Sequence, residues 1–138
     1  MTMAGPPKAP PQPTEIKLHQ KSRILEIAYS DGTIFRLRCE FLRVYSPSAE
    51  VRGHGPGQEV LQVGKKDIGI TQIDPVGTYA VQPVFSDGHD TGIYSWDYLY
   101  TLGANQDEMW RTYLRRMEEA GASREPLPGA FPQRPKSK

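Results

Sequence analysis

Two copies of Ser-Asp-Gly, at Ser30-Asp31-Gly32 and Ser86-Asp87-Gly88, constrain this chain more than any other feature. Each lies among short runs of alternating apolar and polar residues. Asp-Gly supplies the positive φ angles that a tight primed turn requires, so each triplet predicts an antiparallel hairpin. Upstream of the first, Arg23–Tyr29 puts Leu25, Ile27 and Tyr29 on one face. Downstream, Thr33–Arg38 puts Phe35 and Leu37 on one face and Ile34, Arg36 and Arg38 on the other, the two arginines reading as a solvated edge. Ile16–His19 alternates in the same way, with Ile16 and Leu18 inward. Around the second triplet, Ile68–Ile73 and Thr78–Phe85 read as strands joined by an Asp74-Pro75-Val76-Gly77 turn, with Pro83 confined to an edge or bulge because it lacks an amide hydrogen. Val60–Val63 fits either a short strand or a loop. The two units share strand, Ser-Asp-Gly and an aromatic-Leu pair (Phe41-Leu42 and Tyr98-Leu99), which makes a weak internal pseudo-repeat.

Helical signals come mostly late. Cys39–Val44 fits a single helical turn, and Tyr45–Gly57 reads as a loop from its Gly, Pro and Ser content. Ser95 is an N-cap for Trp96–Leu102, with Gly103 as the stop. Asn105 and Glu108 make a cap-like start to a last helix, whose Met109, Trp110, Tyr113, Leu114 and Met117 form an apolar stripe ending at Gly121. Strands first and helices last predict an α+β domain: an antiparallel sheet of β-hairpins with two C-terminal helices packed on one side.

The ends differ from the middle. Residues 1–13 hold five prolines and almost no large apolar side chain, and residues 122–138 hold four prolines and several basic residues. Neither segment can bury enough surface to offset its ordering entropy, so the expected organisation is a disordered tail over 1–13, one domain over 14–121 and a second tail over 122–138. A net charge of +1 gives no case for a nucleic-acid or anionic-membrane partner. No run approaches a membrane span and the N-terminus lacks an apolar signal core. A lone cysteine, Cys39, suits a reducing cytoplasm.

The chemical inventory is short. The histidines are His19, His54 and His89. The glycines of the 45–57 loop form neither a P-loop nor a dinucleotide fingerprint, and no H-E-x-x-H, C-x-x-C or G-x-S-x-G occurs. His89 is the strongest single candidate. It follows a tight turn, is flanked by Asp87 and Asp90, and precedes the aromatic helix start of Tyr94, Trp96, Tyr98 and Tyr100. An imidazole there can ligate a metal or hydrogen-bond the backbone. A metal also needs further ligands, and His54, Cys39 or a neighbouring carboxylate are the candidates. Cys39 also reads as a small core residue. The four aromatic residues supply either core or a docking surface, since helical direction turns some of them outward.

Two stretches, Phe41-Leu-Arg-Val-Tyr-Ser-Pro-Ser-Ala-Glu50 and Phe85-Ser-Asp-Gly-His-Asp-Thr-Gly-Ile-Tyr-Ser-Trp-Asp-Tyr-Leu99, closely resemble the gamma-butyrobetaine hydroxylase-like N-terminal domain, a family of small bacterial proteins. The resemblance covers about residues 14–120. Similar domains precede the catalytic jelly roll of carnitine-synthesis dioxygenases and occur fused to P-loop ATPases that carry iron–sulfur clusters. In the dioxygenases the domain holds a structural zinc through a C-x-C-x-x-C run and one later histidine. Those positions fall here on Ser46, Ser48, Val51 and His89. Serine is a poor zinc ligand and valine is none. The resemblance therefore implies a lost zinc site, with His89 kept as a hydrogen-bonding residue beneath the Ser46–Glu50 loop. It marks Arg43, Ser46, Ser48, Glu50, Asp87, His89, Tyr94 and Trp96 as the candidate binding or structural set. Dioxygenase activity does not carry over, because the catalytic domain has no counterpart in this sequence. The expected function is a non-catalytic accessory or protein-interaction module associated with iron–sulfur or metal-dependent enzymes. The alternative is a protein that binds a divalent metal, zinc or iron, through His89 with His54 or Cys39. A small enzyme would need a perturbed titratable pair in a deep pocket, which the sequence does not offer.

Overall fold

The computed structural model describes residues 11–53 and 59–126. Three strands, β1 (Pro13–His19), β2 (Ile24–Tyr29) and β3 (Ile34–Arg38), form one antiparallel sheet in the order β1-β2-β3. Two short helices follow, α1 (Cys39–Val44) and α2 (Ala49–Arg52). A second antiparallel sheet then runs β4 (Ile70–Val76), β5 (Ala80–Phe85) and β6 (Tyr94–Ser95), in that order. The chain closes with α3 (Trp96–Ala104) and α4 (Gln106–Glu119). This is the expected α+β class, built from two three-stranded sheets rather than one. Among the described residues no helix is long and apolar enough to cross a membrane.

One core joins the two sheets. Leu25, Ile27, Tyr29 and Leu37 enter it from the first sheet, and Ile70, Val81, Phe85 and Tyr94 from the second. Helix α1 lies between them, with all six of its residues buried. Leu99 and Leu102 bring α3 onto the same cluster. Helix α4 packs through Tyr113 and Met117, while Leu114 of the expected stripe stays 38% exposed.

Both Ser-Asp-Gly triplets are hairpin turns, of one geometry. Gly32 donates to the Tyr29 carbonyl at 3.0 Å and Gly88 to the Phe85 carbonyl at 2.9 Å. Tyr29 donates to Thr33 and Phe85 to His89, so each turn opens one residue later than a primed two-residue turn would. Only the glycines are left-handed, at φ 89° and 90°; the aspartates are not. The turns are thus of the three-residue kind, with glycine in the left-handed position, and not the primed type that Asp-Gly suggests. Asp31 Oδ1 accepts from Thr33 N at 3.0 Å and Asp87 Oδ1 from His89 N at 3.1 Å. The pseudo-repeat is therefore real at the level of turn geometry.

Several local expectations are corrected. Asp74, Pro75 and Val76 belong to strand β4, and the turn lies beyond them at Gly77. Strand β4 is a sheet edge, where Pro75 forfeits no ladder bond. Pro83 sits in the middle strand, but β6 pairs only with Ala80 and Val81, so Pro83 lies past its end. Ser48 caps α2 inside the expected loop, its hydroxyl accepting from Glu50 N. Val60–Val63 forms no strand. Pro13 opens β1 instead of ending a tail, and residues 122–126 are tied down: Gly64 and Lys66 donate to the carbonyls of Ser123 and Arg124 at 2.9 Å each.

Gly103 does not stop α3; it lies inside it. A Cβ at this position would stand far too close to the Phe35 ring. The missing side chain lets α3 sit directly on β3. Gly103→Ala should therefore lower the unfolding free energy by about 1–3 kcal/mol through overpacking, although alanine is intrinsically better in a helix by about 1 kcal/mol. A urea titration of the variant checks this. A gain in stability would show that the contact is not close.

Candidate functional site

The second Ser-Asp-Gly turn is drawn into the core where the first is not. Asp31 is exposed and accepts from the Tyr100 hydroxyl at 2.7 Å. The Asp87 side chain is 5% exposed and lies between two cations. Arg43 Nε of α1 reaches its Oδ2 at 3.0 Å, and Lys65 Nζ reaches the same oxygen at 2.6 Å. Burial alone would raise the Asp87 pKa. The bonds from Lys65 and the His89 amide, with the Arg43 charge, outweigh burial and hold it below the ordinary 3.8. Among the described residues Arg43 Nη1 is buried without a partner.

His89 lies beside this carboxylate, its side chain 3% exposed. Ser46 Oγ is 2.9 Å from Nε2, and Glu50 Oε1 is 3.2 Å from Nδ1. A carboxylate accepts only, so Nδ1 carries the proton and Nε2 of the neutral ring accepts from the Ser46 hydroxyl. Ser46 Oγ in turn accepts from Ser48 N at 3.2 Å. Ser48 and Thr91 share a hydroxyl bond of 2.7 Å. Burial and the Arg43 charge push the His89 pKa below its ordinary 6.5, against the pull of Glu50 and Asp87. Gly92 makes the approach possible, because a Cβ there would collide with Ser46 Oγ.

The structure thus brings Arg43, Ser46, Ser48, Glu50, Asp87 and His89 into one network that ties the α1–α2 connection to the turn after β5. Tyr94 lies under it, fully buried, its hydroxyl donating to the Leu42 carbonyl at 2.5 Å. Trp96 lies apart, with Nε1 donating to the Thr78 carbonyl at 2.9 Å. Tyr98 and Tyr100 spend their hydroxyls on Tyr45 O and Asp31, so the four rings pack on the domain. Cys39 is wholly buried in the main core, and burial pushes its thiol up to about 11. His54 lies outside the described residues. His19 is exposed and pairs with Glu26 at 2.9 Å.

Sequence reasoning missed Lys65 and Thr91, which have no local signal because their partners are 22 and 43 residues away. It also missed a cleft of about 660 Å³ between α2, the Leu61–Gln62 segment and α4, with Ser46 in its wall. Among the described residues no group of three or more His, Cys, Asp or Glu is placed to hold a metal ion.

The family model described as gamma-butyrobetaine hydroxylase-like, N-terminal, matches residues 16–100. The chain belongs to this family. It is 54% identical to a protein of known solution NMR structure, over 91% of this chain and 93% of that one, with a TM-score of 0.74. A second NMR structure is 42% identical, over 93% of this chain and 96% of that one, at 0.73. A crystal structure from Acidithiobacillus ferrooxidans, described as a protein of unknown function of the DUF971 family, is 42% identical over 67% of this chain and 93% of that one, at 0.57. No curated protein matches.

The residues at the zinc positions of the similar dioxygenase domains do not fit that metal here. Its positions hold one imidazole, two hydroxyls and a buried valine, and the imidazole already accepts from Ser46. The network has a pH signature instead. The unfolded chain takes up a proton on His89 near pH 6.5, while the folded chain does so only at lower pH. Stability from this group is fully present above the unfolded value and falls as pH drops through it toward the folded one. Urea midpoints should therefore fall between pH 7.5 and 5.5. His89→Gln should flatten that slope and cost about 1–3 kcal/mol at pH 7.5. An unchanged slope in the variant would assign the effect to another group.

Proposed function

We propose that this protein is a non-catalytic accessory module that acts by binding another protein, in the setting of iron–sulfur or other metal-dependent enzymes. The observation that carries this reading is how the His89 network uses its hydrogen-bonding capacity. Both ring nitrogens of His89 have partners within the domain, and Asp87 accepts from Arg43, Lys65 and the His89 amide. A general base or nucleophile needs a free lone pair facing substrate. Here those lone pairs fasten one loop to another. The metal-enzyme setting rests on family company alone, which is an analogy at the level of the domain. The reading places the protein in the cytoplasm and leaves a divalent metal cofactor, zinc or iron, to the second reading. The second reading, a zinc or iron protein using His89 with His54 or Cys39, has less support, because Cys39 is sealed in the core as a high-pKa thiol.

Two measurements on the tag-free full chain separate the readings. Titration with Zn2+ and Fe2+ should leave the His89 imidazole signals in place and give no stoichiometric binding. Quantitative affinity capture should enrich iron–sulfur or other metal-dependent enzymes. Stoichiometric metal with shifts at His89 would favour the metal-binding reading and sink this one. Capture with no such enrichment would remove the metal-enzyme setting.

A further inference from the structure

The cleft beside the network has a composition suited to one kind of ligand. Its volume, about 660 Å³, lies in the range of binding sites for small ligands and short peptide segments. Val44, Val51 and Leu61 give it aliphatic walls, and the rings of Tyr98 and Tyr113 complete them. The tyrosine hydroxyls offer no donor to a ligand, because Tyr98 donates to Tyr45 O at 2.6 Å and Tyr113 to Gln62 O at 2.7 Å.

The cations of the described lining are two guanidinium groups, Arg52 from the last turn of α2 and Arg116 from the last turn of α4, beside the polar Ser46, Gln62 and Thr112. The Arg52 guanidinium lies over the Tyr98 ring at 5.2 Å, and the Arg116 charge acts on the Tyr45 hydroxyl. Both cations thus line the same cleft as Tyr45 and Tyr98. Neither has a carboxylate partner among the described residues, although Arg36, Arg43 and Arg124 all do. Glu59 is the one acid in the described lining, and it pairs with neither. Stacking on tyrosine holds a guanidinium in place while leaving its N–H donors free for a carboxylate.

We propose that this cleft binds an acidic peptide segment of a partner protein, with an apolar side chain seated between Val44, Val51 and Leu61 and a neighbouring carboxylate on Arg52 and Arg116. The proposal rests on the interaction-module reading and gives that partner a chemistry. A simple inorganic anion would use the arginines and leave the apolar walls wet. A wholly apolar segment would bury two cations without compensation, which costs more than the wall returns.

The test is NMR titration of the full chain with two pools of blocked pentapeptides. One pool is randomised over Leu, Phe, Val, Asp and Glu; the other replaces Asp and Glu by Asn and Gln. The acidic pool should shift amides of Val44–Ser46, Val51–Gly53 and Thr112–Arg116, and the amide pool should bind at least about tenfold more weakly. Arg52→Glu with Arg116→Glu should abolish the preference while leaving signals of the β-sheets in place. Equal shifts from both pools, shifts elsewhere, or none at about 1 mM peptide would overturn the proposal; that concentration marks the weak end of specific binding. Because the two wild-type titrations alone decide the outcome, a variant that misfolds does not stop the test. Failure here would leave the affinity capture untouched, so the cleft and the module reading fall separately.

Discussion

Helix α1 is buried on every side, and that constraint organises the rest of the domain. A six-residue helix between two sheets shows no face to water, so each polar group it carries needs a partner inside. Glu40 finds Arg124, whose Nε and Nη2 reach the two carboxylate oxygens at 2.8 and 2.7 Å. Arg43 finds Asp87. The helix end has carbonyls with no helical donor, and tyrosines supply two. Tyr94 donates to Leu42 O, and Tyr98 to Tyr45 O just beyond the helix. Removing any one partner would leave a buried group uncompensated, which costs far more than a surface bond contributes. Such ion pairs do not by themselves make the fold stable, because desolvation offsets their attraction.

The same logic explains why two identical turns have different fates. Both Ser-Asp-Gly turns close with the same backbone bonds and the same aspartate-to-amide bond. Asp31 faces solvent and a tyrosine hydroxyl, whereas Asp87 is placed over the C-terminal half of α1. One turn is a local device, and the other is both a turn and the counter-ion of the central helix. His89 is the residue after that turn, in the position Thr33 occupies in the first copy. Its amide holds Asp87 while its ring holds Ser46, so one residue joins the ion pair to the loop above it.

How much of this was legible follows from the range of each interaction. The hairpins, the α1 turn and the two late helices were readable because period, turn residues and caps are local. The resemblance motifs singled out Arg43, Ser46 and His89; Ser46 and His89 bond directly, and Arg43 joins them through Asp87. The type of turn was misread because Asp-Gly serves the three-residue geometry as well as the primed one. Gly103 was misread because a glycine that stops a helix and a glycine that admits a neighbouring ring look alike in sequence; only Phe35 distinguishes them. Arg124 was assigned to a tail because its value lies in Glu40, 84 residues away. Arg52 and Arg116 carried no signal, since a cation on a helix reads as an ordinary solvated face.

How the α1–α2 connection is held bears on what it can do. A structural zinc contributes on the order of 10 kcal/mol or more to holding its ligands together. The bonds from Ser46 to His89 and from Ser48 to Thr91 contribute about 1 kcal/mol each net. Glu50 adds little, because its side chain is 66% exposed and its pairing with His89 is screened. The connection is therefore positioned, but far less firmly than a metal would hold it. Directly after it comes α2, whose Val51 and Arg52 line the cleft. A wall held by a few kcal/mol can shift to fit a ligand and still return to one resting place. On the interaction-module proposal, such a wall is one that accepts the irregular shape of another protein.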